Sequence, residues 1–243
     1  MNRDQSKQID GLVRAYMSHR ALIDTFHNQL LQALTGSLKL GGLVHSIRSR
    51  LKDPEHLRDK LKRKWQKKIE SAEEFDITGH NLLVRVNDLV GIRILHLYTR
   101  QIQDIDAAVR EILDENQYKL LEGPSARTWD DESRAFFEKC KIQTQQSPSL
   151  YTSVHYVVES ASRTKVTAEI QVRTLMEEVW GEVDHQLNYP HQTNSLACRE
   201  QLKVLARITS GATRLVDSIF STHADHVDQQ KAAAAKKKLI SRK

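Results

Sequence analysis

Apolar residues recur at helical spacing from the start of the chain. Ile9, Leu12, Val13, Tyr16, Leu22, Ile23, Phe26, Leu30 and Leu31 predict a helix over 5–34, and Gly36, Gly41 and Gly42 end it. The period then shortens to two: 45–52, HSIRSRLK, alternates small or apolar residues with basic ones and predicts a strand. Asp53 is placed to cap, and Pro54 to open, a helix that reaches about Glu70. Residues 76–87 read as a connection ending in a short turn. GIRILHLY, 91–98, predicts a buried strand, 104–116 an amphipathic helix and 118–122 another strand. Residues 123–149 have no period and are rich in polar side chains, so a long mobile loop is expected there. Strands at 152–159 and 165–173 flank the turn Ser160–Arg163 and predict a hairpin. Helices are expected at 175–187 and 195–220, the second with Leu202, Leu205, Ile208, Leu215, Val216 and Ile219 inward. The end, AAAAKKKLISRK, reads as a frayed helix with solvated lysines.

These elements predict an α+β fold, a mixed sheet of about five strands with helices packed against it. The expected division is an N-terminal helical segment 1–44, a central domain 45–190, and a C-terminal helix with a basic tail 191–243. Of the 243 residues 39% are hydrophobic, enough for a core, and 28% are charged. Apolar stretches are too short to span a bilayer and the first ten residues carry no apolar signal core, so a cytoplasmic protein without a membrane partner is expected. Cys140 and Cys198 match no metal-ligand spacing and read as free thiols. The net charge of +6 fits an anionic partner, nucleotide or RNA, and its distribution narrows the choice.

Four stretches carry candidate chemistry. From Arg48 to Lys68 there are ten Lys or Arg and three Asp or Glu. Arg50 and Lys52 share one strand face, and Lys60 shares a helix face with Arg63 or Lys64, so a strand end and a helix can clamp a triphosphate; an exposed basic helix is the plainer reading. In NDLVGIRIL, Asp88 stands at the mouth of a buried strand as a Mg²⁺ ligand would, and Arg93 lies inside an apolar strand where its charge needs a partner. In YTSVHYVV, alternation puts Tyr151, Ser153 and His155 on one face, suited to stacking a base and binding a ribose or phosphate. In EIQVRT, Glu169, Gln171 and Arg173 share a face, and pairing with the preceding strand sets His155 against Glu169. Each block alone also has a plainer reading: Asp88 can cap a turn, the YTSVHYVV strand can have one solvated face, and Glu169 and Arg173 can pair on a charged strand face.

Together and in this order, the blocks resemble the synthetase domain of the RelA/SpoT family of alarmone synthetases, from about His45 to Tyr189. The resemblance rests on SRLKDP with the basic helix, NDLVGIRIL, YTSVHYVV, and EIQVRT with the helix after it. It implies a nucleotidyltransferase-like fold and a Mg²⁺-dependent transfer of the β,γ-pyrophosphate of ATP to the 3′-hydroxyl of GDP or GTP. By this resemblance Asp88 and Glu169 are the catalytic and metal-binding residues. Arg50, Lys52, Lys60, Arg63 and Arg93 bind ATP, and Tyr151, Ser153, His155, Gln171 and Arg173 bind the acceptor.

Two departures bear on the acceptor. Classical members have a lysine and Asn-Gly just before the tyrosine; here that stretch is QQSPSL, and the nearest lysines are Lys141 and Lys139. The following helix ends Asn188-Tyr189-Pro190. Some small toxic members modify the 3′-terminal adenosine of tRNA, which is the alternative acceptor. No hydrolase segment precedes His45, so synthesis without hydrolysis is expected, and Asp184, His185, His223 and His226 read as surface or packing residues. The terminal helices are candidate surfaces for a homo-oligomer or for a regulatory protein such as an antitoxin.

Overall fold

The computed structural model describes residues 3–188 and 192–240. The chain opens with two helices, α1 (Arg3–Ser18) and α2 (Arg20–Gly36). Their inward residues follow helical spacing, Ile9, Leu12, Val13 and Tyr16 on α1 and Ile23, Phe26, Leu30 and Leu34 on α2. The single helix expected over 5–34 is broken at His19. There the Ser18 hydroxyl donates to the Ala15 carbonyl (2.8 Å) and His19 Nδ1 bonds the same oxygen (2.8 Å), so side chains compete with the helical ladder for the last carbonyls.

A short helix α3 (Leu38–Gly41) leads to strand β1 (Ser46–Leu51). Helix α4 (Pro54–Glu70) follows, capped by Asp53, whose Oδ1 accepts from the N–H groups of Glu55 and His56. Next come α5 (Leu82–Arg85), β2 (Val90–His96), α6 (Ile102–Glu115), β3 (Lys119–Thr128), α7 (Asp131–Lys139) and β4 (Gln143–Gln146). The hairpin β5 (Ser153–Glu159) and β6 (Thr167–Thr174), then α8 (Leu175–Asn188) and α9 (Leu196–Ile240), complete the described chain.

The sheet has six strands in the order β1-β2-β6-β5-β3-β4. The β2–β6 and β3–β4 pairs are parallel and the others antiparallel. Ile92, Ile94, Ala126, Val154, Tyr156, Val158, Ala168, Ile170 and Val172 join one core with the inward residues of α1, α2 and α6. The buried Tyr156 hydroxyl donates to Asp106 of α6 (3.0 Å), which fixes that helix against the sheet.

The mobile loop expected over 123–149 is instead the rest of β3, α7 and β4. Gly123 has φ +93 and a Cβ there would stand 2.3 Å from the His155 carbonyl oxygen, so only glycine fits this bulge. Past the bulge β3 pairs again, Ser125 with His155 and Arg127 with Ser153. The inward face of α9 is also corrected. Leu202, Ala206, Thr209, Ser210 and Thr213 are buried, whereas Ile208 (62% exposed), Leu215 (63%) and Ile219 (57%) point outward. The contact is built on hydroxyls, with Thr213 meeting Thr174 at 3.3 Å, and not on the aliphatic stripe. Both cysteines are free thiols, and no described helix is long and apolar enough to cross a membrane. Tyr189 and Pro190 lie outside the described residues.

Candidate active site

Strand register decides which side chains meet. Across one sheet face Arg48, Arg93, Gln171, His155 and Ser125 lie in one row, on β1, β2, β6, β5 and β3. The neighbouring row holds Arg173, Ser153 and Arg127, and on the other side Arg50, Gly91 and Glu169 align. A cleft of ≈ 180 Å³ opens on this face, lined by Arg48, Arg50, Asp88, Arg93, Glu169 and Gln171. Through Arg50 and Asp88 it continues into a hollow of ≈ 440 Å³ lined also by Lys52, His56, Lys60, Arg63 and His185.

Asp88 is the hub of the basic end. Lys52 Nζ stands 2.8 Å from Oδ2 and Lys60 Nζ 2.7 Å from Oδ1. Burial pushes this carboxyl up, but the two ammonium groups outweigh it and hold it at about 2. Lys52 is itself buried, which pulls its pKa down despite Asp88. Its backbone is fixed from behind by Tyr16 of α1, whose hydroxyl donates to the Lys52 carbonyl (2.5 Å) and accepts from Arg20 (2.7 Å). Arg48 and Arg50 are exposed, and Arg50 lies over Gly91, its Cγ 3.5 Å from where a Cβ would be.

The other end is a hydrogen-bonded relay. His155 Nδ1 bonds Glu169 Oε1 (2.9 Å), Gln171 Nε2 donates to Glu169 Oε2 (3.0 Å), and His155 Nε2 bonds Ser153 Oγ (2.5 Å). Burial raises the Glu169 carboxyl, yet the bonds from His155 and Gln171 and the charge of His155 prevail and leave it below the usual range. Ser153 is only 2% exposed, so this serine–histidine–carboxylate chain orients Glu169 and does not present a nucleophile.

Between the two ends α8 supplies acids that the sequence reading left unused. Arg93 bonds Glu178 (3.1 Å) and Glu182, and Arg173 pairs with Glu178. The partner that Arg93 required is therefore a carboxylate. Arg173 also donates to the Tyr151 hydroxyl (3.1 Å), and its guanidinium carbon lies 5.5 Å from the tyrosine ring centre, with Trp180 at 6.0 Å. Tyr151 is thus half-buried and anchored.

The structure brings all twelve expected site residues to this face or its rim: Asp88, Glu169, Arg50, Lys52, Lys60, Arg63, Arg93, Tyr151, Ser153, His155, Gln171 and Arg173. His185, expected at the surface or in packing, lines the basic hollow, where burial, then Arg50, lowers its pKa. His223 and His226 are exposed, as expected. Lys139 and Lys141 are exposed beside the outer strand β4, whereas Arg127 reaches the register of Ser153. Arg127 is exposed and has no ion-pair partner among the described residues. The sequence showed no sign of Arg127, because it lies in the segment without period. Glu178 and Glu182 did leave a signal: they are four apart on the helix that follows an arginine-bearing strand.

A family model described as the region found in RelA and SpoT proteins matches residues 49–194. The chain belongs to the RelA/SpoT family. All twelve expected residues, together with Arg127, Glu178, Glu182 and His185, fall inside this RelA/SpoT region. Among solved structures, small alarmone synthetase 1 of Bacillus subtilis bound to its product pppGpp is similar at 17% identity and TM-score 0.56, over 90% of this chain and 99% of that one. The same enzyme bound to AMPCPP gives 17% identity and TM-score 0.55, over the same shares. A GTP pyrophosphokinase family protein from Streptococcus pneumoniae gives 20% and 0.51, over 95% and 98%. A search of the curated proteins finds no match. The RelA/SpoT fold here is the mixed α+β sheet with flanking helices described above.

Proposed function

We propose that this RelA/SpoT protein moves the β,γ-pyrophosphate of ATP to the 3′-hydroxyl of a guanine nucleotide, GDP or GTP. One observation carries the reading: Asp88 and Glu169 line one cleft, with a cationic hollow on one side and the Tyr151–His155–Gln171 surface on the other. Arg50, Lys60 and Arg63 would grip the triphosphate, with Lys52, held on Asp88, adding positive charge beside it. Tyr151, His155 and Gln171 would hold the acceptor, with Ser153 fixing the His155 ring from within. The 3′-oxygen attacks the β-phosphorus, the bond from that phosphorus to the α-phosphate oxygen breaks, and AMP leaves. Glu169, held as a carboxylate by His155 and Gln171, accepts the hydroxyl proton and passes it to solvent. Such transfers depend mostly on positioning and charge neutralisation.

The donor set fits Mg²⁺. Asp88 and Glu169 are hard oxygen ligands, both held in the charged form, and Mg²⁺ takes one or two carboxylates and completes its shell with phosphate and water. When bound it supplies charge neutralisation on the phosphate oxygens. Glu178 and Glu182 hold Arg93 and Arg173 until phosphate competes for them.

Arg127 supplies the acceptor-side cation that the stretch before Tyr151 lacks. Arg127→Ala is expected to raise the acceptor KM about tenfold, the size of one charge-assisted contact, with the ATP KM unchanged; steady-state kinetics in both substrates check it. The alternative acceptor, the 3′ end of tRNA, is favoured by one feature. Lys64 and Lys67 continue the basic face of α4 beyond Lys60 without ion-pair partners among the described residues, as a longer polyanion would use. Incubation with γ-labelled ATP, Mg²⁺ and, in parallel, GDP, GTP and deacylated tRNA decides: label on GDP or GTP is the expected result, and label on tRNA alone or on none overturns it.

A further inference from the structure

A buried carboxyl lies outside the catalytic cleft. Glu177, in the first turn of α8, is 5% exposed and faces a second cavity at the end of the sheet, lined also by Thr152, Thr174, Ser210, Thr213 and Arg214. Its Oε2 accepts the Thr152 N–H (3.2 Å). Thr152 follows Tyr151 directly, so this bond reaches the acceptor surface from that cavity.

The segment that carries Tyr151 has few other anchors. Leu150 is in the left-handed region at φ +58. The Tyr151 N–H donates to the Ser147 hydroxyl (3.2 Å), and the Thr152 hydroxyl meets that of Thr128 (3.1 Å). Both of these anchors are neutral; Arg173 holds the Tyr151 side chain at its hydroxyl, and on the backbone side Glu177 supplies the charged bond. A buried carboxyl serving one backbone N–H is a costly way to satisfy a single donor, and a charged acceptor is roughly twice as strong as a neutral one.

We propose that Glu177 is a positioning residue of the acceptor site: through one charged hydrogen bond it fixes the Tyr151–Thr152 segment from the cavity at the end of the sheet, and loss of that charge loosens acceptor binding. The inference rests on the reading that Tyr151 contacts the acceptor.

Among the described residues, four charged or titratable groups face Glu177. Arg173 of β6 is engaged with Glu178 and Tyr151. Arg214 of α9 is engaged with Asp130 (3.1 Å) and Glu132 (3.4 Å). Asp130, before α7, adds negative charge, and His96 of β2 is held neutral by burial, at about 4. Burial holds Glu177 up at about 7, with the Thr152 bond and Arg173 pulling it down and Asp130 pushing it up. The anchor is therefore charged above neutrality and uncharged below it.

The test uses the full chain with Glu177→Gln, which keeps an oxygen for Thr152 but no charge, and Glu177→Leu, which keeps neither. Hydrogen exchange of residues 147–153, corrected for the intrinsic pH dependence, reads the segment itself. Protection in the wild type should fall between pH 8 and pH 6, stay low and flat in Glu177→Gln, and be lowest in Glu177→Leu. In kinetics, the wild-type acceptor KM should rise about fivefold from pH 8 to pH 6 as the bond loses its charge assistance, with the ATP KM constant, and the step should vanish in Glu177→Gln. Glu177→Gln also guards against misfolding as an explanation. A carboxyl raised on folding costs stability as pH rises from its unfolded value towards 7, so the variant should melt higher than the wild type at pH 8, with the gap closing towards pH 5. Equal protection in all three proteins at pH 8, or a wild-type KM step retained in Glu177→Gln, overturns the proposal. Glu177-dependent protection without binding of GDP, GTP or tRNA would instead show that the reading of the acceptor had failed.

Discussion

Glu169→Gln is expected to lower turnover by about 10³-fold, within the range for losing a positioned acid–base group, while the fold survives. Both oxygens of Glu169 accept hydrogen bonds, Oε1 from His155 and Oε2 from Gln171. A glutamine offers one oxygen and one NH₂ to those two donors, so one of them faces a donor and the side chain rotates or loses a bond. The charge that would hold the metal and take the acceptor proton is lost with it. The substitution removes no apolar contact, so circular dichroism should match the wild type, with the melting temperature lowered only by the lost hydrogen bond. Turnover within tenfold of the wild type, on a folded protein, would remove Glu169 from the reaction.

The second large effect belongs to Asp88 and appears in stability as well as rate. Asp88→Asn leaves the ammonium groups of Lys52 and Lys60 converging on a neutral amide. Removing one partner from a buried pair costs about 3–5 kcal/mol, and since Lys60 keeps some solvent contact the lower end is expected. The pH dependence separates this term from others. The folded carboxyl sits at about 2 against an ordinary 3.8, so its stabilising share, about 2 kcal/mol, is fully present above pH ~4 and is lost as pH falls towards 2. Acid titration of the melting temperature should show this loss in the wild type and not in Asp88→Asn. Turnover should fall by about 10²-fold or more, the scale of losing one preorganised electrostatic contact, and half-saturating Mg²⁺ should rise. An unchanged melting temperature with unchanged Mg²⁺ dependence would refute both roles.

What the sequence made legible was what local spacing encodes. Period-two alternation in 152–159 and 165–173 puts His155 and Glu169 on one face of a hairpin, but the register sets His155 opposite Gln171, and His155 reaches Glu169 diagonally, two residues along. The Asp53–Pro54 signature opens α4 by chemistry confined to four residues. The segment 123–149 was illegible for equally physical reasons. Past the Gly123 bulge, β3 turns only Pro124, Ala126 and Thr128 inward, and neither Pro124 nor Thr128 reads as core; α7 buries Phe137 alone, and β4 is Gln-Thr-Gln-Gln. No hydrophobic period survives in such a stretch, so Arg127 was hidden with it. The two lysines on Asp88 depend on how α4 packs against α1 and β1, which spacing within one helix does not show. Arg93 announced that it needed a partner, but only the packing of α8 made that partner Glu178 and Glu182.

The strand order has a consequence for solubility. The Val-rich strand β5 lies fourth in a sheet whose outer strands are β1, with two exposed arginines, and β4, four polar residues long. Short, charged or polar edges recruit passing strands poorly. The edge of β5 that β3 covers has no such protection of its own. A lesion in the bulge, such as Gly123→Val, would uncover a Val-His-Tyr-Val-Val edge and is expected to send the chain into aggregates rather than leave a soluble, inactive protein.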